Sequence, residues 1–224
     1  MTLTAVVPLR DGVSGKSRLA SVLSAADRRA LVTVLARHVA GVLLESPQVD
    51  RVVIVTADEP FTRTVLDGVP GGEGIEVLPQ PGDRPGLNGA LEFARECSGT
   101  TTAPGAPGPG LLVTHADLPA LTSSDIAALT AGTTDVTIAT DRVGRGTNLL
   151  LLTGEPGSGS FRFHFGEASR SAHEAEARRL GLSSAVVVRP GTAVDLDTTD
   201  DWAELPAHVR HAIGRGVTAR SQVH

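Results

Sequence analysis

In 224 residues the chain has one cysteine, Cys97, no tyrosine and a single lysine, Lys16. A lone thiol excludes an internal disulfide framework and any CxxC metal knuckle. Aromatic residues make up 3% of the chain and the formal charge is −5. Nucleic-acid binders carry a basic stripe and stacking aromatics, and both are missing here. No apolar run approaches the roughly 20 residues that cross a bilayer. The apolar start at Leu3–Leu9 is short, has no basic residue before it and meets Pro8 and Arg10 at once, unlike a secretory leader. A soluble, cytoplasmic globular protein is expected. The length fits one domain or two small ones, and can bury roughly 70–75% of the unfolded surface.

What is present is an alternation of strand and helix patterns. Buried-strand patterns fall at residues 4–7, 51–56, 75–78 and 111–114. Helical patterns follow them at 24–46, 61–66, 87–96 and 122–130, the first opened by a capping-box-like Ser24-Ala-Ala-Asp27. Further strands are expected at 136–139, 148–152, 184–188 and 193–197, with helices at 169–181 and 202–213. This order predicts a single three-layer α/β/α domain over residues 1–224, built on a mostly parallel mixed sheet. The closer strands of the second half suggest an added hairpin or an antiparallel edge. Residues 98–110, rich in Gly, Pro and Thr, are expected to form a surface loop within the domain, and 214–224 a flexible tail.

Several constellations could carry chemistry. Gly12-Val-Ser-Gly15-Lys16-Ser17-Arg18 follows the first strand and precedes a helix, where backbone N–H groups favour anions. It is not a Walker A loop, because Arg10 stands where the first glycine belongs. Arg10, Lys16 and Arg18 crowd one junction, which suits a triphosphate, although a surface turn bearing a lysine reads the same way. Asp117 follows the all-apolar fourth strand, where open α/β sheets bind ligands. It suits Mg²⁺ or a helix cap. Asp195 and Asp197, two apart on an expected strand, point to one face and give a carboxylate set without Cys or His, which favours a hard cation. For Asp200 and Asp201 the helix dipole is the better reading. His115, two residues before Asp117, reads as a metal partner of it or, better, as its structural neighbour, and Cys97 as buried bulk. Gly86-Leu-Asn88 reads as a helix start capped by Asn88, or as a loop reading a base or ribose. The glycine–hydroxyl groupings around Thr147 and from Gly166 to Ser169 could offer N–H donors to an anion.

Taken in order, these residues resemble a known family. The set is Val7-Pro8 with Lys16-Ser17-Arg18-Leu19-Ala20; Gly86-Leu87-Asn88-Gly89-Ala90-Leu91; His115-Ala116-Asp117-Leu118-Pro119; Asp141 with Gly146-Thr147-Asn148; Phe163-His164-Phe165-Gly166 with Ser169 and His173; and Asp195-Leu196-Asp197-Thr198. The chain is similar, over nearly its whole length, to the CofC or FbiD guanylyltransferases of coenzyme F-420 biosynthesis. These are compact relatives of the nucleotidyltransferases that make nucleotide sugars.

The resemblance implies a nucleotide-diphospho-sugar transferase (GT-A-like) fold. It also implies transfer of GMP from GTP to the phosphate of a small phospho-carboxylate, with release of pyrophosphate. That acceptor is phosphoenolpyruvate, 2-phospho-L-lactate or 3-phosphoglycerate, and the arginine-rich, actinobacterial look of the composition favours phosphoenolpyruvate. Carried over by motif, Pro8, Arg10, Lys16, Arg18, Gly86 and Asn88 would meet the nucleotide. Lys16, Arg18 and Asp117 would be catalytic. Asp117 and Asp195 would hold Mg²⁺ with Asp197 close behind, and Thr147, Gly166 and Ser169 would take the acceptor. The family commonly has lysine where Arg10 stands, which changes a point charge into a planar fork. A hand-off to a downstream cofactor-assembly enzyme is also implied. The alternatives are another nucleotidyltransferase of this fold, acting on a sugar or cofactor phosphate, and a catalytically silent nucleotide-binding module.

Overall fold

The computed structural model describes residues 2–10, 16–98, 110–154 and 160–221. Gly12 and Gly15, and nearly all of the 98–110 segment, lie outside them.

Seven strands form one sheet in the order β3-β2-β1-β4-β6-β5-β7. They are β1 (Leu3–Leu9), β2 (Arg51–Thr56), β3 (Glu76–Pro79), β4 (Gly110–Thr114), β5 (Val136–Thr140), β6 (Thr147–Leu152) and β7 (Ser184–Val187). β1, β2, β3 and β4 pair in parallel, as do β5 and β7, while β6 runs against both β4 and β5. Of the two arrangements the spacing suggested, the hairpin forms, between β5 and β6, and its reversed strand lies inside the sheet and not at an edge. β1 and β4 are buried on both faces, so their sequences are nearly all apolar.

Alternate residues of β1 feed two cores. Leu3, Ala5, Val7 and Leu9 face α1 (Ala25–Glu45), α2 (Glu59–Leu66) and α4 (Ser123–Thr130) through Val39, Leu43, Phe61, Val65 and Ile126. Val6 faces the other way with Val53 and Val55, against Ala90 and Leu91 of α3 (Gly86–Cys97), Ala177 of α5 (Ser169–Arg179) and the rings of Phe161, Phe163 and Phe165. A third cluster joins the outer side of α1, at Leu31 and Leu35, to Leu196, Leu205, Val209 and Ile213. Three layers result, with a further helix packed outside α1.

The C-terminal segment departs from the sequence reading in three places. No strand forms at 193–197; a 3-10 turn at Pro190–Thr192 leads into irregular backbone. The single helix expected at 202–213 is two, α6 (Thr199–Glu204) and α7 (Ala207–Ser221), parted at Leu205-Pro206 because proline lacks the N–H the helix needs. α7 also runs past residue 214, where a tail was expected, with Val217 packed on the third cluster. Cys97, read as buried bulk, is exposed at the end of α3.

Ser24 caps α1, accepting from Asp27 N–H, and Thr122 and Thr198 build reciprocal capping boxes with Asp125 and Asp201. Asp201 is therefore spent on its helix start, as the dipole reading anticipated, and α4 is capped by Thr122, leaving Asp117 free of that duty.

Candidate active site

The carboxyl ends of β1, β2 and β4 open into a cleft of ≈ 840 Å³ lined by Pro8, Arg10, Lys16, Arg18, Gly86, His115, Asp117 and Asp197, among others. Open α/β sheets bind ligands at this edge. Arg10 and Arg18 are exposed at its rim. Asp58 and Gln80, which the sequence reading passed over, also line it. Gln80 immediately follows β3, so the strand-end rule is the signal that finds it. Its amide donates to the carbonyls of Arg84 and Gly86, shaping the loop ahead of α3.

Lys16 sits at the centre. Its ammonium is almost wholly buried and pairs with Asp117 and, at 2.7 Å, with Asp197. Burial opposes the charge, but the two carboxylates outweigh it and raise the lysine pKa above its usual value. Asp117 shows the reciprocal effect: burial pushes its pKa up, while Lys16 and then His115 bring it below the ordinary carboxylate range. Lys16 has a left-handed backbone at φ 59°, and Ala168, just before α5, is the other non-glycine residue of positive φ among those described. Each position costs on the order of 1 kcal/mol or more, and such strain gathers at functional loops.

Asp195 reaches the same place by a route other than the expected strand. Leu196 N–H donates to the Asp117 carbonyl, and Asp197 N–H turns back to the Asp195 carbonyl. This tight turn brings both acids inward. Burial, then the Asp117 carboxylate, raises the Asp195 pKa. The preceding turn is wedged in place by Gly191, where an added Cβ would stand 2.0 Å from Asp125 Oδ2 and 2.7 Å from the Ala120 carbonyl. Asp125, itself buried, pairs with Arg189 at 3.1 Å.

The donor set suits a hard cation. Asp117 Oδ1 is buried without a hydrogen-bond partner among the described residues, 3.9 Å from His115 Nδ1, and carboxylate oxygen is the ligand type such ions take. Among the described residues no three His, Cys, Asp or Glu side chains gather into a ready cage. Magnesium rarely needs one, since substrate phosphates and water complete its shell.

A second cluster flanks the first. Ala139 pairs with Leu149 and Thr140 with Thr147, so Asn148 is the extra residue of a β-bulge. Bulges re-aim side chains beside functional sites. Here Asn148 turns to the Thr192 carbonyl, 2.9 Å away, and to Asp195. Thr147 turns to Ser169 and His173, donating its N–H to Ser169 Oγ at 2.9 Å. Asp141, at the start of the turn between β5 and β6, accepts from Arg145 N–H.

Residues 161–166 form an extended strap between α3 and α5, held by side chains. The N–H groups of Arg162 and His164 donate to Glu176 and His173 of α5. Those of Phe163 and Phe165 donate to Glu92 and Asn88 of α3. Asn88 also donates to the Phe165 carbonyl at 3.0 Å, so both ends of its amide serve the strap. It lies inside α3 and does not cap it; Pro85 holds the cap position. The strap ends at Gly166, whose φ of 138° favours glycine, and delivers the start of α5, which has no side-chain cap. Phe165 stacks at 5.5 Å from the His115 ring, joining the two clusters. Pro8, Arg10, Lys16, Arg18, Gly86, Asp117 and Asp197 line the cleft directly, whereas Asn88, Thr147, Gly166, Ser169 and Asp195 do not line it, their cluster being tied to it through Phe165 on His115 and Asn148 at Asp195.

Known proteins resemble this chain in sequence and in fold. The chain is 36% identical over 213 residues to the phosphoenolpyruvate guanylyltransferase of Sphaerobacter thermophilus, covering 93% of this chain and 94% of that protein. It is 32% identical over 223 residues to the 2-phospho-L-lactate guanylyltransferase of Methanothermobacter thermautotrophicus, covering 98% and 89%. It is 34% identical over 207 residues to the 3-phospho-D-glycerate guanylyltransferase of Phenylobacterium zucineum, covering 90% and 88%. The fold is that of a protein from Desulfovibrio desulfuricans assigned to the nucleotide-diphospho-sugar transferases, with a TM-score of 0.72 at 13% identity over 99% of this chain and 98% of that one. CMP:2-keto-3-deoxy-manno-octonic acid synthetase shares it at a TM-score of 0.56 and 12% identity, over 96% and 99%. The family model described as "Guanylyl transferase CofC like" matches residues 3–217, and the chain belongs to that guanylyltransferase family.

Proposed function

We propose that this protein transfers GMP from GTP to the phosphate of a small phospho-carboxylate and releases pyrophosphate, as a step of coenzyme F-420 biosynthesis. The observation that carries the reading is the cleft itself. One buried ammonium, two rim guanidiniums and a carboxylate with an unpartnered buried oxygen meet at the carboxyl ends of β1 and β4.

The chemistry asks little covalent work of the protein. The acceptor phosphate is already an anionic nucleophile, so no general base is required. Its oxygen attacks the α-phosphorus of GTP, a new P–O–P linkage forms, and the bond to the β-phosphate breaks with pyrophosphate taking the electron pair. Two polyanions must be held together and aligned in line. Arg10, Lys16 and Arg18 supply cationic donors for the triphosphate, with Pro8 and Gly86 shaping the wall beside it. Asp117 and Asp195, with Asp197 close behind, would hold Mg²⁺, which supplies positive charge for the oxygens on which charge builds. Thr147 and Ser169, beside Gly166 at the start of α5, would offer their hydroxyls to the acceptor's carboxylate and phosphate.

Phosphoenolpyruvate is the favoured acceptor, in line with the name of the relative at 36% identity. The test is a matrix of four nucleoside triphosphates against phosphoenolpyruvate, 2-phospho-L-lactate and 3-phosphoglycerate, with Mg²⁺, reading pyrophosphate release. Release with GTP and phosphoenolpyruvate is expected. Tight GTP binding with no release for any acid would instead indicate a silent nucleotide-binding module.

A further inference from the structure

His173 is fully buried, and its two ring nitrogens have different partners. Nε2 lies 3.0 Å from the His164 amide, which can only donate, so Nε2 accepts and carries no proton. A neutral imidazole then bears its proton on Nδ1, 3.0 Å from Thr147 Oγ1. Burial first, then the neighbouring His164, pushes the His173 pKa down to about 3, so the ring is neutral at any working pH. Thr147 Oγ1 is thereby made an acceptor toward His173, and its own proton is left over. Ser169 is in the same condition, because its Oγ accepts the Thr147 N–H. Both residues are 2% exposed. Among the described residues neither hydroxyl proton has an acceptor, and a buried donor left unpaired is costly.

We infer that His173 is a positioning residue for the acceptor substrate: its Nδ1–H occupies one lone pair of the Thr147 hydroxyl and leaves that hydroxyl's proton to be donated to an anion. A free threonine hydroxyl can donate or accept and so reads charge poorly. One that already accepts from His173 keeps a second lone pair but has its proton uncommitted, and a group that only accepts, such as a carboxylate or phosphate, satisfies that proton. The inference rests on the reading that Thr147 and Ser169 meet the phospho-carboxylate. It adds the reason that their polarity fits one.

The test separates the two layers. In the wild-type protein, ¹⁵N imidazole shifts are expected to show His173 protonated at Nδ1, bare at Nε2, and not titrating between pH 5 and 8; a proton on Nε2 overturns the inference. In steady-state assays His173→Phe is expected to raise the KM for the acceptor about tenfold while the Kd for GTP, measured without acceptor, stays within twofold. Thr147→Val should do the same, and the double variant should be no worse than Thr147→Val alone, because both changes remove one donor. His173→Gln, whose amide can accept from His164 and donate to Thr147, should recover most of the acceptor affinity. If Thr147→Val impairs the acceptor and His173→Phe adds a further independent loss, His173 is merely structural and the inference fails alone. If Thr147→Val leaves the acceptor KM unchanged, the acceptor assignment fails and the inference with it.

Discussion

Replacing Asp117 with asparagine isolates the charge at the centre of the cleft, since the two side chains are nearly isosteric. The stability cost has opposing parts. One charge-assisted hydrogen bond to Lys16 is lost, worth about 1.5–3 kcal/mol. Lys16 is not orphaned, because Asp197 still lies 2.7 Å from its ammonium. The like charge that raises the Asp195 pKa disappears as well, which returns part of the loss. A net cost of about 1–2 kcal/mol lowers Tm by roughly 2–8 °C in a domain of this size. Turnover should suffer far more. A preorganised electrostatic group aimed at developing charge is worth about 3–4 kcal/mol in the transition state, or 10²–10³ in kcat. The expected signature is a folded, modestly destabilised protein whose pyrophosphate release with GTP and phosphoenolpyruvate falls at least a hundredfold. Activity within threefold of wild type at saturating Mg²⁺ would refute the role of Asp117. A Tm drop above 15 °C would show that the carboxylate is chiefly structural.

Two further outcomes follow from the same charges. Asp195 has a raised pKa, so its ionised form is disfavoured in the fold; it favours folding at low pH and costs stability once pH rises through that pKa. Asp195→Asn should therefore raise Tm at pH 7–8 while suppressing turnover, with the Tm gain shrinking on acidification; thermal melts across pH 4–8 that show a gain growing toward acid contradict this sign. Lys16 competes with any cation for Asp117 and Asp197, so Lys16→Met should bind Mn²⁺ several-fold more tightly without nucleotide and GTP more weakly; calorimetry showing weaker Mn²⁺ binding would overturn it.

Much of the cleft is legible in local pattern. The Ser24 cap, the apolar runs of β1 and β4, and the rule that ligands sit beyond strand ends together place Lys16 and Asp117. These are signals of a few adjacent residues. The strap is a different matter. Its amides bond to side chains as far as 77 positions away, at Asn88, and no period in the sequence announces such a pairing. The turn at Asp195–Asp197 also escaped. Alternating acids read as a strand, whereas Gly191 against Asp125 and the Leu196 bond to Asp117 impose a bend that only tertiary contact specifies. Asn88 misread as a cap for a related reason: a cap and a long-range clamp use the same amide. The β5–β6 hairpin was anticipated by its spacing but its place in the sheet was not, since sequence order does not say which strand is inserted between which.

That inserted strand has a consequence for how such an enzyme can change. Because β6 runs against its neighbours, its first residues, Thr147 and Asn148, lie beside the last residues of β4 and β5. Lys16 and Asp117 hang from the parallel strands, and Thr147 with the strap hangs from the reversed one. The two halves share a floor and meet at few points, Phe165 against His115 and Asn148 against Asp195. A lengthened turn between β5 and β6, or a strap residue other than Phe165, which packs on His115, would alter chiefly one compartment. Such a division would let a lineage exchange one small acid for another while keeping its nucleotide, and the relatives named for three different acids are what it would produce.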